Sequence, residues 1–512
     1  ATRHELARFI EPDGKTRLRF RHAVVHGVAY RGLPYKRRRE LHARAGEVVE
    51  RLSADDPDSS AEFLAYHFSE AGAYEKAWRY SQVAAVKAKA AYANTAAATH
   101  YERALDAARH VSSADEGNIT HAWIELGEVR ELAGEMETAR EALSQALRVG
   151  HLDSVTRADI YLRRAGTWMN TGNLTQAKRN VSLGKHELGS ADEEDHRAML
   201  AQLDAFESSI HAAGGDPEKA SKAAHRAIAL SREASADEAM ARAFSVLDWA
   251  NFMLGVEGEK VGPQAIEIYE RLGFLERSVG VMNNLGAFAY FEGDWDRAVD
   301  WYQKSLEAAD RSGNILEAAL TKTNIAEVMI GQRRYSEAGP LLEDARRVYE
   351  ASQADHYLPL VRLLRARLET ASQPEVTTVS TLRKLFEAQK SGNGQWTNET
   401  AVALAEALLA VEGPEPAIEF TSDPGTPGSP GVTRVRIAAL VAAQRYLAAS
   451  EEIDGAISEA AESGDLLEEL HLLEIADGLA RRLGAVPEPA DPERLAELRQ
   501  RLGIVAGELS PI

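Results

Sequence analysis

The chain has 512 residues, a formal net charge of −20, no cysteine and 45% hydrophobic residues spread evenly, so it is too long for one ordinary core yet lacks apolar runs. No window approaches the roughly 18 to 20 consecutive apolar residues of a membrane span, and Ala1 to Ile10 has neither a charged nor an apolar leader region, so a soluble protein is expected, and the absence of cysteine fits a cytoplasmic setting. The missing cysteines exclude disulfides, thiolate metal sites and cysteine nucleophiles, and the acidic bulk argues against nucleic-acid binding, which needs a positive footprint.

The first fifty residues differ from the rest. Arg3 to Arg51 carries thirteen Lys and Arg against six carboxylates. Arg8 to Ile10 and Thr16 to Arg21 read as two short strands around Pro12-Asp13-Gly14, with Asp-Gly as the hairpin signal. A helix over His22 to Gly32 follows, and after Pro34 an arginine-rich helix over Lys36 to Leu52. Phe20-Arg21-His22-Ala23-Val24-Val25, then Ala29-Tyr30 and Arg37-Arg38-Arg39-Glu40-Leu41-His42, resembles the winged-helix end of STAND signalling ATPases, particularly actinobacterial proteins with a class III adenylate or guanylate cyclase domain ahead of the ATPase module. The resemblance implies a winged-helix remnant at 1–52, with nucleotide-binding and cyclase domains preceding Ala1 in the same polypeptide. In such ATPases a histidine near His22 senses the bound nucleotide; the alternative here is an ordinary helix-start histidine. Lys36, Arg37, Arg38 and Arg39 read first as a solvated or interdomain face, and otherwise as a surface for nucleic acid, anionic lipid or an acidic partner.

From residue 53 a repeat sets in. Asn284-Leu285-Gly286, Tyr290, Gly293, Trp295, Ala298, Tyr302 is followed forty residues later by Asn324-Ile325-Ala326, Met329, Gly331, Tyr335, Ala338, Leu342. Weaker copies run through Leu64-Ala65, Phe68, Gly72, Tyr74, Ala77; Leu126-Gly127, Gly134, Met136, Ala139, Leu143; Ala165, Gly172, Leu174, Ala177; and Gly215 to Pro217 with Ala220, Ala224, Ala227. Each copy predicts two amphipathic helices joined at a glycine, with small residues where they approach closely. These residues resemble the tetratricopeptide repeat family over Ala61 to Tyr349, which implies an all-α, right-handed, tetratricopeptide-like α-solenoid with repeats over 53–349. Beyond them, 350–512 predicts degenerate helical repeats and a cap: Leu358 to Glu369, Val376 to Gln389, Asn398 to Val411, Thr433 to Ala448, Leu467 to Leu483 and Glu493 to Leu502, with a loop at Ser422 to Gly431.

No phosphate-binding loop, no paired metal-binding aspartates and no clustered metal ligands are present in the sequence, so the chain is expected to have no catalytic, cofactor or metal site of its own. The resemblance places Asn284 and Asn324 in a concave groove, where their amides would hold a peptide or protein backbone; the alternative is that they cap or solvate helices. Tyr290, Phe291, Trp249 and Phe252 read first as interhelical core and otherwise as aromatic surface of that groove. The expected role is an interaction and sensor array regulating attached ATPase and cyclase-like domains; the other readings are the sensor arm of a STAND-type transcriptional regulator and a freestanding scaffold.

Overall fold

The computed structural model describes residues 10–13, 17–20, 23–112, 114–189, 193–256, 260–391, 396–483 and 492–504. Strands β1 (Ile10–Asp13) and β2 (Arg17–Phe20) pair antiparallel, with Ile10 opposite Phe20 and Asp13 opposite Arg17. The first strand therefore takes in Pro12 and Asp13, which the sequence assigns to the turn; a proline is tolerated because a two-stranded ribbon has only edges.

Everything else with regular structure among the described residues is helical, and it forms two compact units, one of residues up to 133 and 137–153 and one of residues 134–136 and those from Ser154 onwards. The first unit comprises α1 (Ala23–Arg31), α2 (Tyr35–Leu52), α3 (Ala61–Ala71), α4 (Tyr74–Ala90), α5 (Asn94–Ala108), α6 (Glu116–Leu132) and α7 (Met136–Ala146). The second comprises α8 (Ser154–Met169), α9 (Leu174–Leu188), α10 (Glu194–Ala213), α11 (Pro217–Ala234), α12 (Asp237–Met253), α13 (Gly262–Leu272), α14 (Leu275–Phe291), α15 (Trp295–Ser312), α16 (Ile315–Gly331) and α17 (Tyr335–Ala351). It continues with α18 (Leu358–Ser372), α19 (Val376–Lys390), α20 (Thr397–Val411), α21 (Pro414–Ser422), α22 (Pro430–Ala442), α23 (Tyr446–Ser463), α24 (Leu466–Leu483) and α25 (Pro492–Leu502).

Within the second unit, consecutive helices pack as hairpins and each hairpin packs on the next, which is the architecture of a tetratricopeptide-like solenoid. The turn between α14 and α15 illustrates the local cause. Gly293 takes a left-handed φ of 75°, the Asp294 amide donates to the Ala289 carbonyl at 2.9 Å, and the Asp294 carboxylate then caps α15 by accepting from the Arg297 amide at 3.2 Å. A similar turn divides the helix expected over Thr433 to Ala448. Gln444 adopts a φ of 60° and the Arg445 amide bonds the Leu440 carbonyl at 2.8 Å, so α22 ends at Ala442 and α23 begins at Tyr446. The short helix α21 lies just before the expected loop at Ser422 to Gly431, started by Pro414 at its first position.

The second unit closes on itself at its C-terminal end. Leu470, Leu473, Leu498 and Leu502 are buried in the same core as Ile325, Val328 and Met329 of α16. The Gln332 side chain donates to the Leu502 carbonyl at 3.3 Å, Arg501 donates to the Glu292 carbonyl, and Arg333 lies 3.8 Å from Glu474. Hairpins α14/α15 through α24/α25 thus form a ring, closed by four leucines whose burial stabilises by about 1.5 to 3 kcal/mol each.

Close approach within hairpins rests on small residues. A Cβ at Gly286 of α14 would lie 2.6 Å from the Tyr302 ring of α15, whereas one at Gly280 of the same helix would meet nothing within 4 Å. Gly286→Ala is expected to destabilise the chain by about 1 to 3 kcal/mol through overpacking. Gly280→Ala should stabilise it by about 0.5 to 1 kcal/mol through reduced backbone entropy. Urea denaturation of the two variants checks both signs.

Candidate functional site

Helices α12, α14 and α16 are the first helices of successive hairpins, and equivalent positions on them carry a polar ladder. The Asn284 amide nitrogen donates to the Ser245 hydroxyl at 3.2 Å, and that of Asn324 donates to the Asn283 carbonyl oxygen at 3.0 Å. Both asparagines are half-buried, and each keeps a side-chain carbonyl oxygen and a second N–H outside these bonds. Ser245 and Asn283, the partners, are not singled out by the sequence. Their signal lies in register: Ser245 and Asn284 stand 39 residues apart and Asn283 and Asn324 stand 41 apart, one repeat in each case.

Seven residues on from Ser245 and Asn284, two turns along the same helix face, stand Phe252 and Phe291. Their rings lie 5.3 Å apart, and Phe252 also meets Trp249 at 6.0 Å and Phe288 at 5.3 Å. Phe288 is core, but Phe252 is 38% exposed, Phe291 53% and the adjoining Met253 54%. Tyr290 sits apart from this exposed cluster. It is half-buried, its ring stacks on Trp295 at 5.5 Å and 8°, and the Trp295 indole donates to its carbonyl at 3.2 Å. Burial pushes the Tyr290 phenol well above its usual range.

Ionic groups flank the aromatic cluster. Lys260 and Arg297 both pair with Glu292; burial works to raise that carboxyl, but the two cations outweigh it and hold it low. Asp248 is engaged in structure, accepting from the Val261 amide at 2.9 Å and the Gly262 amide at 2.6 Å at the start of α13. Among the described residues no group of three or more His, Asp or Glu could hold a metal ion, and no helix is long and apolar enough to cross a membrane.

In the first unit the basic run joins α2 to its neighbours. Arg39 donates from Nε to the Ala71 carbonyl at 2.8 Å, at the C-terminus of α3, where a cation is favoured by the helix dipole. Arg38 lies over the Tyr30 ring at 5.4 Å and the Tyr35 ring at 5.9 Å, while exposed Arg37 pairs with Glu40 at 3.0 Å. Beneath them the Tyr30 hydroxyl bonds His42 Nε2 at 2.9 Å, and His42 Nδ1 lies 2.9 Å from His67 Nδ1. Burial, then the neighbouring His42, holds the His67 pKa low. His42 and His67 carry no pattern that separates them from scattered surface histidines, and only the fold brings them together. His22 lies outside the described residues.

Residues 277–351, which span most of α14 and all of α15 to α17, match the tetratricopeptide repeat family. No curated protein sequence matches the chain. Among solved structures the chain is similar to a Rap protein complexed with competence and sporulation factor, at 10% identity over 74% of this chain and 99% of that one, with a TM-score of 0.44. It is also similar to a STAND protein with a tetratricopeptide repeat sensor from Pyrococcus horikoshii, at 14% identity over 79% of this chain and 54% of that one, with a TM-score of 0.30. The chain spans about half the length of that protein. A third similar structure is the apo form of the quorum sensor NprR from B. thuringiensis, at 14% identity over 68% of this chain and 97% of that one, with a TM-score of 0.39. The hairpins at residues 277–351 thus match the tetratricopeptide repeat, and helical hairpins flank them on either side.

Proposed function

We propose that this chain is a protein- or peptide-binding sensor array, with its ligand seated on the face formed by α12, α14 and α16. The observation that carries this reading is the exposed cluster of Phe252, Met253 and Phe291 in line with the asparagine ladder. Exposed aromatics gathered at one place supply anchors, and amides with unused donors and acceptors supply backbone recognition. In the same reading the array is cytoplasmic and regulates nucleotide-handling domains of its own polypeptide, a STAND-type ATPase module and a class III cyclase domain. The winged-helix remnant is the joint, and Arg39 and the Tyr30, His42, His67 chain supply a fixed attachment through which occupancy could be passed on.

The double variant Phe252→Ser, Phe291→Ser should stay folded while losing about 1 to 3 kcal/mol by urea denaturation, because the rings are half-exposed but touch Trp249 and Phe288. Asn324→Ala, which leaves Asn283 without its donor, should cost about 0.5 to 1.5 kcal/mol. Partners retained by the immobilised chain from a host lysate should be lost from the double variant by about tenfold or more. Equal retention by both proteins would remove this face from consideration. The gene upstream of Ala1 tests the regulatory half: a phosphate-binding loop and a cyclase domain are expected there, and unrelated coding sequence would overturn it.

A further inference from the structure

Where α1, α2 and α3 of the first unit meet, two histidines share one proton position. His42 Nδ1 lies 2.9 Å from His67 Nδ1, the ring centroids are 4.9 Å apart, and His42 is only 7% exposed. A hydrogen bond between two ring nitrogens needs one to donate and the other to accept, so a gap of this width holds a single proton. The other nitrogen of His42, Nε2, lies 2.9 Å from the Tyr30 hydroxyl of α1, and that hydroxyl also reaches Glu70 Oε2 of α3 at 3.4 Å. Tyr30 thus ties α1 to both helices through the same histidine.

The surroundings set how many protons the pair can carry. On α2, Arg38 lies over the Tyr30 ring at 5.4 Å and Arg39 is held by the Ala71 carbonyl. On α3, the Phe63 and Tyr66 rings stand 4.2 and 5.3 Å from the His67 ring, Tyr66 hydrogen-bonds Tyr30, and the Glu70 carboxylate favours a charged His67. From α5, Arg103 lies over Tyr66 at 5.8 Å with His100 beside it at 3.3 Å, and His100 in turn feels Glu62 of α3. One extra proton fits this arrangement: His42 takes it at Nε2, Tyr30 turns its O–H to Glu70, and the bond across the gap survives. A second has no place except the gap, where it would set two N–H groups against each other between two imidazolium rings, close to Arg38 and Arg103. Burial, and after it His42, accordingly hold the His67 pKa below its ordinary value of 6.5, with Glu70 pulling the other way.

We propose that the bond between His42 and His67 is an acid-sensitive latch on the junction of α1 and α2 with α3, closed while the pair carries at most one extra proton and open once both imidazoles are charged. Opening is local. Further along α2, Val49 packs against the apolar cluster of Leu64, Phe68 and Tyr80, and Gly46 sits so close to the Phe68 ring that a Cβ there would lie 2.8 Å from it. Those contacts carry no titratable group at the junction, so the C-terminal half of α2 stays seated while α1 and the start of α2 loosen. Because His67 has a folded-state pKa below its unfolded value, the stability it supports is present above pH 6.5 and is lost as pH falls below it. The latch lies wholly within the first unit and does not rest on the aromatic face of Phe252 and Phe291.

Hydrogen exchange of the full chain, followed by mass spectrometry at about pH 7.5 and about pH 5 and corrected for intrinsic exchange rates, tests it. Protection of α1 and the first turns of α2 should fall by about tenfold or more at the lower pH relative to α3 and α4. His67→Phe keeps a ring at that place but cannot be protonated, and its protection there should change by less than about twofold between the two conditions. His100→Gln removes the neighbouring histidine of α5 and should respond to acid as the wild type does. Should His67→Phe not fold, titration of the wild-type histidines by NMR decides: one of the pair should gain its proton about one pH unit or more below the other. An equal acid-induced loss across α1 to α5, the wild-type response in a folded His67→Phe protein, or coincident titration of His42 and His67 near pH 6.5 would each overturn the proposal.

Discussion

The close approach of paired helices through glycine and alanine is the constraint on which the rest of this structure depends. Gly127 faces Leu143, Gly286 faces the Tyr302 ring, Gly331 faces the Trp295 ring, and Ala298, Ala326 and Ala338 are wholly buried. With no cysteine in the chain, no disulfide holds one hairpin to the next. Large side chains from one helix fill the depressions left by small residues on its neighbour, so each hairpin is specified by its partner rather than by its own helix propensity. Such units bury a continuous core only by stacking.

Stacking alone produces contacts between neighbours, and closure of the ring departs from that rule. The bonds from Gln332 to the Leu502 carbonyl and from Arg501 to the Glu292 carbonyl join residues 170 and 209 positions apart. The packing carries a cost where it takes Arg434 and its two carboxylate partners out of bulk water. Arg434 between Glu406 and Glu468 offsets part of it, but a buried ionic triad stabilises little relative to apolar packing while being costly to break, about 3 to 5 kcal/mol when one partner is lost. The interior also depresses His471, which burial first and then Arg434 hold neutral, with its pKa at about 3. A folded-state pKa below the unfolded value means that stability from this residue is present above pH 6.5 and is lost as pH falls below it.

The hairpins were legible in the sequence because their signals are local: a glycine or a capping Asp or Asn, then an apolar period of 3.6. Leu358–Ser372, Val376–Lys390 and Leu466–Leu483 fall within a few residues of their expected ends. The break at Gln444 was not legible, because a glutamine in the left-handed region is held there by the Schellman-type bond that follows and not by its own preference. The Arg434 ion triad was hidden for a further reason. Positions 406, 434 and 468 step by 28 and 34 residues, and a single acid or arginine on an amphipathic helix has the same pattern whether it faces solvent or a partner charge. Asn284 and Asn324 stood out through their shared register, but their partners Ser245 and Asn283 needed the packing of adjacent hairpins to be identified.

Helix α14 joins the exposed aromatic face to the hydrophobic core through consecutive residues. Phe291 presents its ring to solvent beside Phe252, while half-buried Tyr290 stacks on Trp295 and packs against the hydrophobic core. Two adjacent residues on a helix point about 100° apart, so a shift or rotation of α14 large enough to seat one of them better necessarily moves the other. Coupling between the face and the core then depends on whether a ligand on the face prefers one position of α14. The closed ring makes such positions discrete, since α14 is held by the Arg501 bond to Glu292 at its end and by α16 along its length, and packed interfaces switch between arrangements rather than deform continuously.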